Sequence, residues 1–154
     1  MGSPELQASL GLATLAWHRI NWAACHRRVR SLQRRIVQAV KAGAWRKGKR
    51  LSDLLVHSFA ARVLGLKRVT ENKGKKTPGI EGELWETPEK KAVAVTRSGR
   101  WRSYRPLPWR RLYLLKKNGK KRPLSLPAMI ERGKQALGLQ ALEPIAETLA
   151  DRNS

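Results

Sequence analysis

The chain has 154 residues, enough for one domain, and sets 33 Lys and Arg against 11 Asp and Glu for a net charge of +22. A surplus of that size repels itself in a compact state and points to a polyanion as partner, while 41% hydrophobic residues supply a core and exclude a wholly disordered, charge-rich tail. One cysteine, Cys25, excludes an internal disulfide, and His18, His26 and His57 have no zinc-ligand spacing. Residues 1–16 read as an N-terminal extension that need not be ordered. The apolar stretch Leu6 to Trp17 is too short to span a bilayer and has no basic region ahead of it, so neither a membrane anchor nor a secretory signal is expected.

Trp22 to Ala42 is predicted to be a helix, because Val29, Leu32, Ile36, Ala39, Val40 and Gly43 recur at three- and four-residue steps. Arg27, Arg28, Arg30, Arg34, Arg35 and Lys41 lie largely around the rest of its circumference, and Gly43 is its stop signal. A second helix is predicted from Leu51 to Leu64, with Leu51, Leu54, Leu55, Phe59 and Val63 on one face and Gly65 ending it. Joined by the basic corner Trp45 to Arg50, the two would form a helical hairpin over residues 17–66. From Arg68 to Gly82, Asn72, Gly74, Pro78, Gly79 and Gly82 crowd into a lysine-rich loop. Thr87 and Pro88 mark the cap and first turn of a short helix that Gly99 closes. Arg100 to Arg111 reads as an extended basic segment.

The strongest local signal runs from Leu112 to Leu126, where two apolar runs flank Lys116-Lys117-Asn118-Gly119-Lys120-Lys121-Arg122-Pro123. Asn-Gly favours a tight type I′ turn, so a β-hairpin with a lysine-rich tip is predicted. A helix from Ala128 to Leu142 follows, then Glu143-Pro144 and a short amphipathic run to Ala150. The fold class is α+β: the helical hairpin, a basic loop and small hairpin sheet over 67–127, and C-terminal helices over 128–154.

The charge is uneven along the chain. Residues 1–70 hold 14 basic and 2 acidic side chains, residues 71–127 hold 16 and 5, and residues 128–154 hold 3 and 4. A solvated face is normally mixed in sign, so the first two segments read as nucleic-acid-facing and the neutral tail as packed. No nucleophile–base pair, metal-ligand cluster or phosphate-binding glycine loop has the required spacing. Gly74-Lys75-Lys76-Thr77 matches the end of a P-loop only superficially, since the earlier glycine and preceding strand are missing. Glu81 and Glu83 read as loop solvation, so no catalytic residue and no metal ligand is expected.

Binding is better supported. The cations available to RNA phosphates are Arg27, Arg28, Arg34, Arg35, Lys73, Lys75, Lys76, Arg100, Arg102, Arg105, Arg110, Arg111, Lys117, Lys120 and Lys121. Trp22 and Trp45 read as core anchors, whereas for Trp101 and Tyr104 base stacking and core anchoring both stay open.

Three blocks carry a family likeness. They are Trp22 to Leu55; Arg68 to Gly82, which ends in Thr77-Pro78-Gly79-Ile80-Glu81-Gly82; and Arg110 to Pro127, followed by Glu131-Arg132, Gln135-Ala136-Leu137 and Leu142-Glu143-Pro144. In this order they resemble the N-terminal part of group II intron-encoded reverse transcriptases, the maturases, over residues 17–154. The resemblance implies a fingers region with its N-terminal extension, an incomplete right-hand polymerase fold without palm or thumb. It also implies that Lys116 and Arg122 contact a nucleotide triphosphate and that the basic loop and helices lie against intron or template RNA. Glu81 and Glu131 stand where the family usually has Asp, and Leu115 where it usually has Pro. The longer acidic side chains are expected to loosen any tight backbone cap there.

The palm's magnesium-binding aspartate motifs have no counterpart here, so RNA-directed DNA synthesis, and Mg2+ with it, is expected only with a palm- and thumb-bearing partner chain. Assistance in intron folding, one half of a split enzyme, and a non-catalytic RNA-binding protein or gene remnant all remain open. The palm would otherwise cover Met129, Ile130, Leu137, Leu139 and Leu142, leaving them exposed without it. The implied location is a bacterial cytoplasm or an organelle.

Overall fold

The computed structural model describes residues 16–152, so the expectation for the N-terminal extension lies almost wholly outside the described residues. After a helical turn at 16–18, helix α1 (Trp22–Lys41) begins where the Asn21 side chain accepts a hydrogen bond from the Ala24 amide at 3.0 Å. Its predicted stripe is the buried face: Val29, Leu32, Ile36, Ala39 and Val40, with Cys25. Burial raises the Cys25 thiol's pKa.

The predicted helical hairpin is instead three helices. Trp45 to Arg50, expected as a linker, forms the start of α2 (Trp45–His57), because lysine and arginine are good helix formers. The single helix predicted over Leu51 to Leu64 breaks at Ser58, whose hydroxyl donates to the Leu55 carbonyl at 2.7 Å and accepts from the Ala61 amide at 3.2 Å. One side chain thus closes α2 and caps α3 (Phe59–Glu71). Gly65 does not end a helix but lies inside α3, where an added Cβ would stand 3.4 Å from the Leu137 amide nitrogen. Its smallness sets the close approach of the last helix.

Beyond a 3-10 turn (Lys73–Lys76), α4 (Pro88–Ser98) opens as predicted, with the Thr87 hydroxyl accepting from the Lys90 amide at 3.3 Å and Pro88 in the first turn. Strands β1 (Arg110–Leu115) and β2 (Lys121–Leu126) pair antiparallel, with Leu114 opposite Arg122 and Arg110 opposite Leu126. The fold is therefore mixed helix and a small two-stranded antiparallel sheet, in line with the α+β class.

The C-terminal residues form one helix, α5 (Met129–Arg152), not two pieces, and Pro144 lies inside it. Proline has no amide to offer the carbonyl four residues back. That carbonyl, on Gln140, instead accepts from Gln33 Nε2 of α1 at 2.9 Å, and Gln140 Nε2 donates to the Ala61 carbonyl of α3 at 2.9 Å. The break in the ladder is thereby turned into a tie between three helices. Leu32, Ile36, Leu55, Leu66, Met129 and Leu137 lie fully buried where α1, α2, α3 and α5 meet. Of the residues expected to await a palm, Met129, Ile130 and Leu137 are covered by this chain itself, and only Leu139 and Leu142 are exposed. Trp22 packs against the core beside Trp17, but Trp45 is exposed; the deeply buried tryptophan is Trp85.

Candidate nucleic-acid interface

The hairpin tip is a compact cationic point. The Gly119 amide donates to the Lys116 carbonyl at 3.1 Å, and the Lys116 amide donates to the Lys120 carbonyl at 2.8 Å. Only Gly119 in this turn has a positive φ (+78°), so the turn is type I closed by a glycine bulge, not the type I′ turn predicted from Asn-Gly. Asn118 uses its side-chain oxygen instead, accepting from the Lys120 amide at 3.1 Å. Strand alternation places Lys116 on the same face as Leu114, which is opposite Arg122. Lys116 and Arg122 therefore share one face as diagonal neighbours. Burial falls along that face, from half-buried Arg110, Leu112, Leu124 and Leu126 at the base to exposed Lys116, Lys120 and Arg122 at the tip. Lys117 and Lys121 are exposed too.

The lysine loop is more tightly built than its composition suggests. Asn72 caps the 3-10 turn, accepting from the Lys73 amide at 2.8 Å, and Lys73, Lys75 and Lys76 all project to solvent. Arg132 of α5 holds the loop from within: Nη1 donates to the Gly74 carbonyl at 3.1 Å, Nη2 to Thr77 at 2.7 Å and Nε to Pro127 at 3.0 Å. Burial lowers the Arg132 pKa, against the pull of the nearby Glu81 carboxylate. Arg110, expected among the RNA contacts, is half-buried and donates to the Pro78 carbonyl at 3.2 Å, which makes it a strut between hairpin and loop.

Glu81 and Glu83 do not solvate the loop. Glu81 Oε1 accepts from the Met129 amide at 3.0 Å, satisfying the first amide of α5, so the longer side chain still makes the cap. The fit is close: a Cβ on Gly79 would stand 2.6 Å from Glu81 Oε2 and 2.7 Å from Ala128 Cα. Glu83 accepts from Trp85 Nε1 at 2.9 Å and from Arg97. Burial pushes the Glu83 pKa up, but the hydrogen bonds from Arg97 and Trp85, with the charges of Arg97 and Lys90, outweigh it and hold the group below its ordinary value.

Arg100, Arg102 and Arg105 are exposed along the segment between α4 and β1. Trp101 and Tyr104 within it already have a cation on their rings: Lys134 Nζ lies 4.2 Å from the Trp101 centroid and 4.6 Å from that of Tyr104. Their ring faces towards Lys134 are therefore closed to base stacking. Burial, then the neighbouring Glu131 carboxylate, pushes the Tyr104 phenol up to about 12. Glu131 Oε1 accepts from the Leu107 amide at 2.8 Å.

Arg27, Arg28, Arg34 and Arg35 are exposed along α1, and Arg111 is exposed on β1. Arg34 borders a groove of about 610 Å³ with Glu143 and Glu147 of α5, whose mixed sign suits phosphate poorly. The ion pairs Lys67–Glu71, Arg68–Glu143 and Arg97–Glu83 take up none of the cations predicted to meet RNA. Sequence reasoning overlooked Arg132 and Lys134. For Arg132, at the end of the first turn of α5, a signal was present, because a cation near the positive end of a helix is locally unfavourable and calls for another partner.

The family model for the N-terminal domain of reverse transcriptase matches residues 17–98, which is more than half of the chain. The chain belongs to that family. The reverse transcriptase N-terminal domain match spans α1 to α4 and stops short of the hairpin. Protein YkfC of Escherichia coli strain K12 is 41% identical to this reverse transcriptase relative over 90 residues, covering 53% of this chain and 23% of YkfC. The chain thus spans about a quarter of the length of that curated relative. Among the described residues no helix is long and apolar enough to cross a membrane.

Proposed function

We propose that this chain is an RNA-binding unit of a group II intron-type reverse transcriptase, the fingers hairpin with its N-terminal helical extension. Lys116 and Arg122 meet phosphates there, as a point charge and a planar fork held on one face by a rigid turn. The observation that carries this reading is the hairpin tip, whose cations are exposed with no carboxylate paired to them among the described residues. Glu81, Glu83 and Glu131 each accept from amide, indole or guanidinium donors, which supports the reading that magnesium is held by a palm-bearing chain and not by these carboxylates. Nucleotide addition therefore belongs to a palm outside these residues, and this unit's part is to bind strand or nucleotide phosphate.

The test is filter binding of a structured intron RNA across a salt series. With six or more phosphates neutralised, affinity falls by about 10³-fold between roughly 50 and 200 mM salt. Affinity that barely changes over that range overturns the reading. Lys116→Ala with Arg122→Ala then separates two forms of it. A loss of nucleotide use in extension assays supplemented with a palm-bearing chain supports the fingers role, and no change supports a purely structural RNA-binding protein.

A further inference from the structure

Lys134 is only 5% exposed and Arg132 is half-buried, yet neither forms an ion pair among the described residues. A cation buried without an ion pair is costly even where aromatic rings face it, as Trp101 and Tyr104 face Lys134, and an apolar chain of the same length would avoid that cost. What the charge adds is a grip on carbonyl oxygens. Lys134 Nζ donates to the Ser98 carbonyl at 3.2 Å and the Arg100 carbonyl at 2.5 Å, while Arg132 spans the Gly74 and Thr77 carbonyls. Those carbonyls are not scattered. Gly74 and Thr77 bracket Lys75 and Lys76, and Ser98 and Arg100 open the segment that carries Arg102 and Arg105. The far end of that segment, the Leu107 amide, is held by Glu131, one helical turn from Lys134.

The carbonyls are the negative ends of the peptide dipoles, and here they face α5, while Lys75, Lys76, Arg100, Arg102 and Arg105 are exposed. From this arrangement we infer that Arg132 and Lys134 are positioning residues for polyanion binding. They touch no phosphate themselves but hold two cationic segments so that several exposed side chains reach one strand together. The inference rests on the RNA-binding reading above.

The salt slope of RNA binding separates this role from ordinary ones. Loss of one exposed cation lowers the slope of log affinity against log salt by about one. For Lys134→Met, a buried site, the slope is expected to drop by about two or more as Arg100, Arg102 and Arg105 lose their shared geometry, with Lys134→Arg recovering most of it. A slope within about one of the parent overturns the inference and leaves the RNA-binding reading standing. Failure of the parent chain to bind RNA overturns both. If a thermal melt shows that Lys134→Met does not fold, Arg132→Lys gives the same readout, since it keeps the charge but loses the fork across Gly74 and Thr77. There too a drop of about two or more supports the inference and an unchanged slope sinks it.

Discussion

The hairpin tip and the first turns of α5 are both dense in charge and use it in opposite ways. Lys116, Lys117, Lys120, Lys121 and Arg122 stand in solvent, so their field reaches outward. Glu131, Arg132 and Lys134 turn inward and bond to backbone groups of Leu107, Pro127, Gly74, Thr77, Ser98 and Arg100. A charge count treats the two regions alike. Burial and hydrogen-bond partner are what separate a charge offered to a ligand from one committed to the fold.

The comparison breaks most visibly at the tip. Replacing Lys116, Lys117, Lys120, Lys121 and Arg122 together by Gln is expected to weaken RNA binding on the order of 10³-fold in a low-salt filter assay and to flatten the salt slope. The thermal midpoint should hardly move, since the turn is closed by backbone hydrogen bonds and by the Asn118 side chain. A large drop in melting temperature would show that the tip cations serve the fold after all.

The inward region is probed by Gly79→Ala. The new methyl meets the Ala128 backbone at 2.7 Å, contact that no side-chain rotation relieves, and denaturant unfolding should record a loss of about 1–3 kcal/mol. Gly119→Ala is the matched change at the tip. Nothing lies within 4 Å of its Cβ, so only the positive φ is at stake, and a loss of about 1 kcal/mol is expected.

The smallest effect is a pH dependence. Tyr104 is held at about 12, against an ordinary 10, so between those values the unfolded chain releases its proton while the folded chain keeps it. Stability therefore falls as pH rises through that window. Tyrosinate absorbance should show a component near 12 that Tyr104→Phe abolishes.

What could be read from the chain was whatever neighbouring residues settle among themselves. The stripe of α1, the Thr87-Pro88 entrance and the two strands around Asn118-Gly119 emerge where expected, because each is stabilised within a few residues. The periodicity through Leu51 to Val63 misled, since one hydroxyl at Ser58 redirects the backbone while the apolar spacing runs on. Pro144 misled in the other direction: it reads as a break unless Gln33, 107 residues earlier than Gln140, is known to take the orphaned carbonyl. For Trp101 and Tyr104 the chain leaves stacking and anchoring both open, and what it does not reveal is that their rings face Lys134, a contact made across some thirty residues.

Sequence alone determined that this protein is a strongly cationic, helix-rich chain with a hairpin at Leu112 to Leu126, since charge and short-range periodicity are local properties. Tertiary structure alone decided which charges face a ligand and which hold carbonyls, because Arg132 reaches back 55 residues to Thr77 and Lys134 reaches back 36 to Ser98. Desolvation acts on a group's position in three dimensions, and a cation is left free for phosphate only where the folded chain leaves it in water.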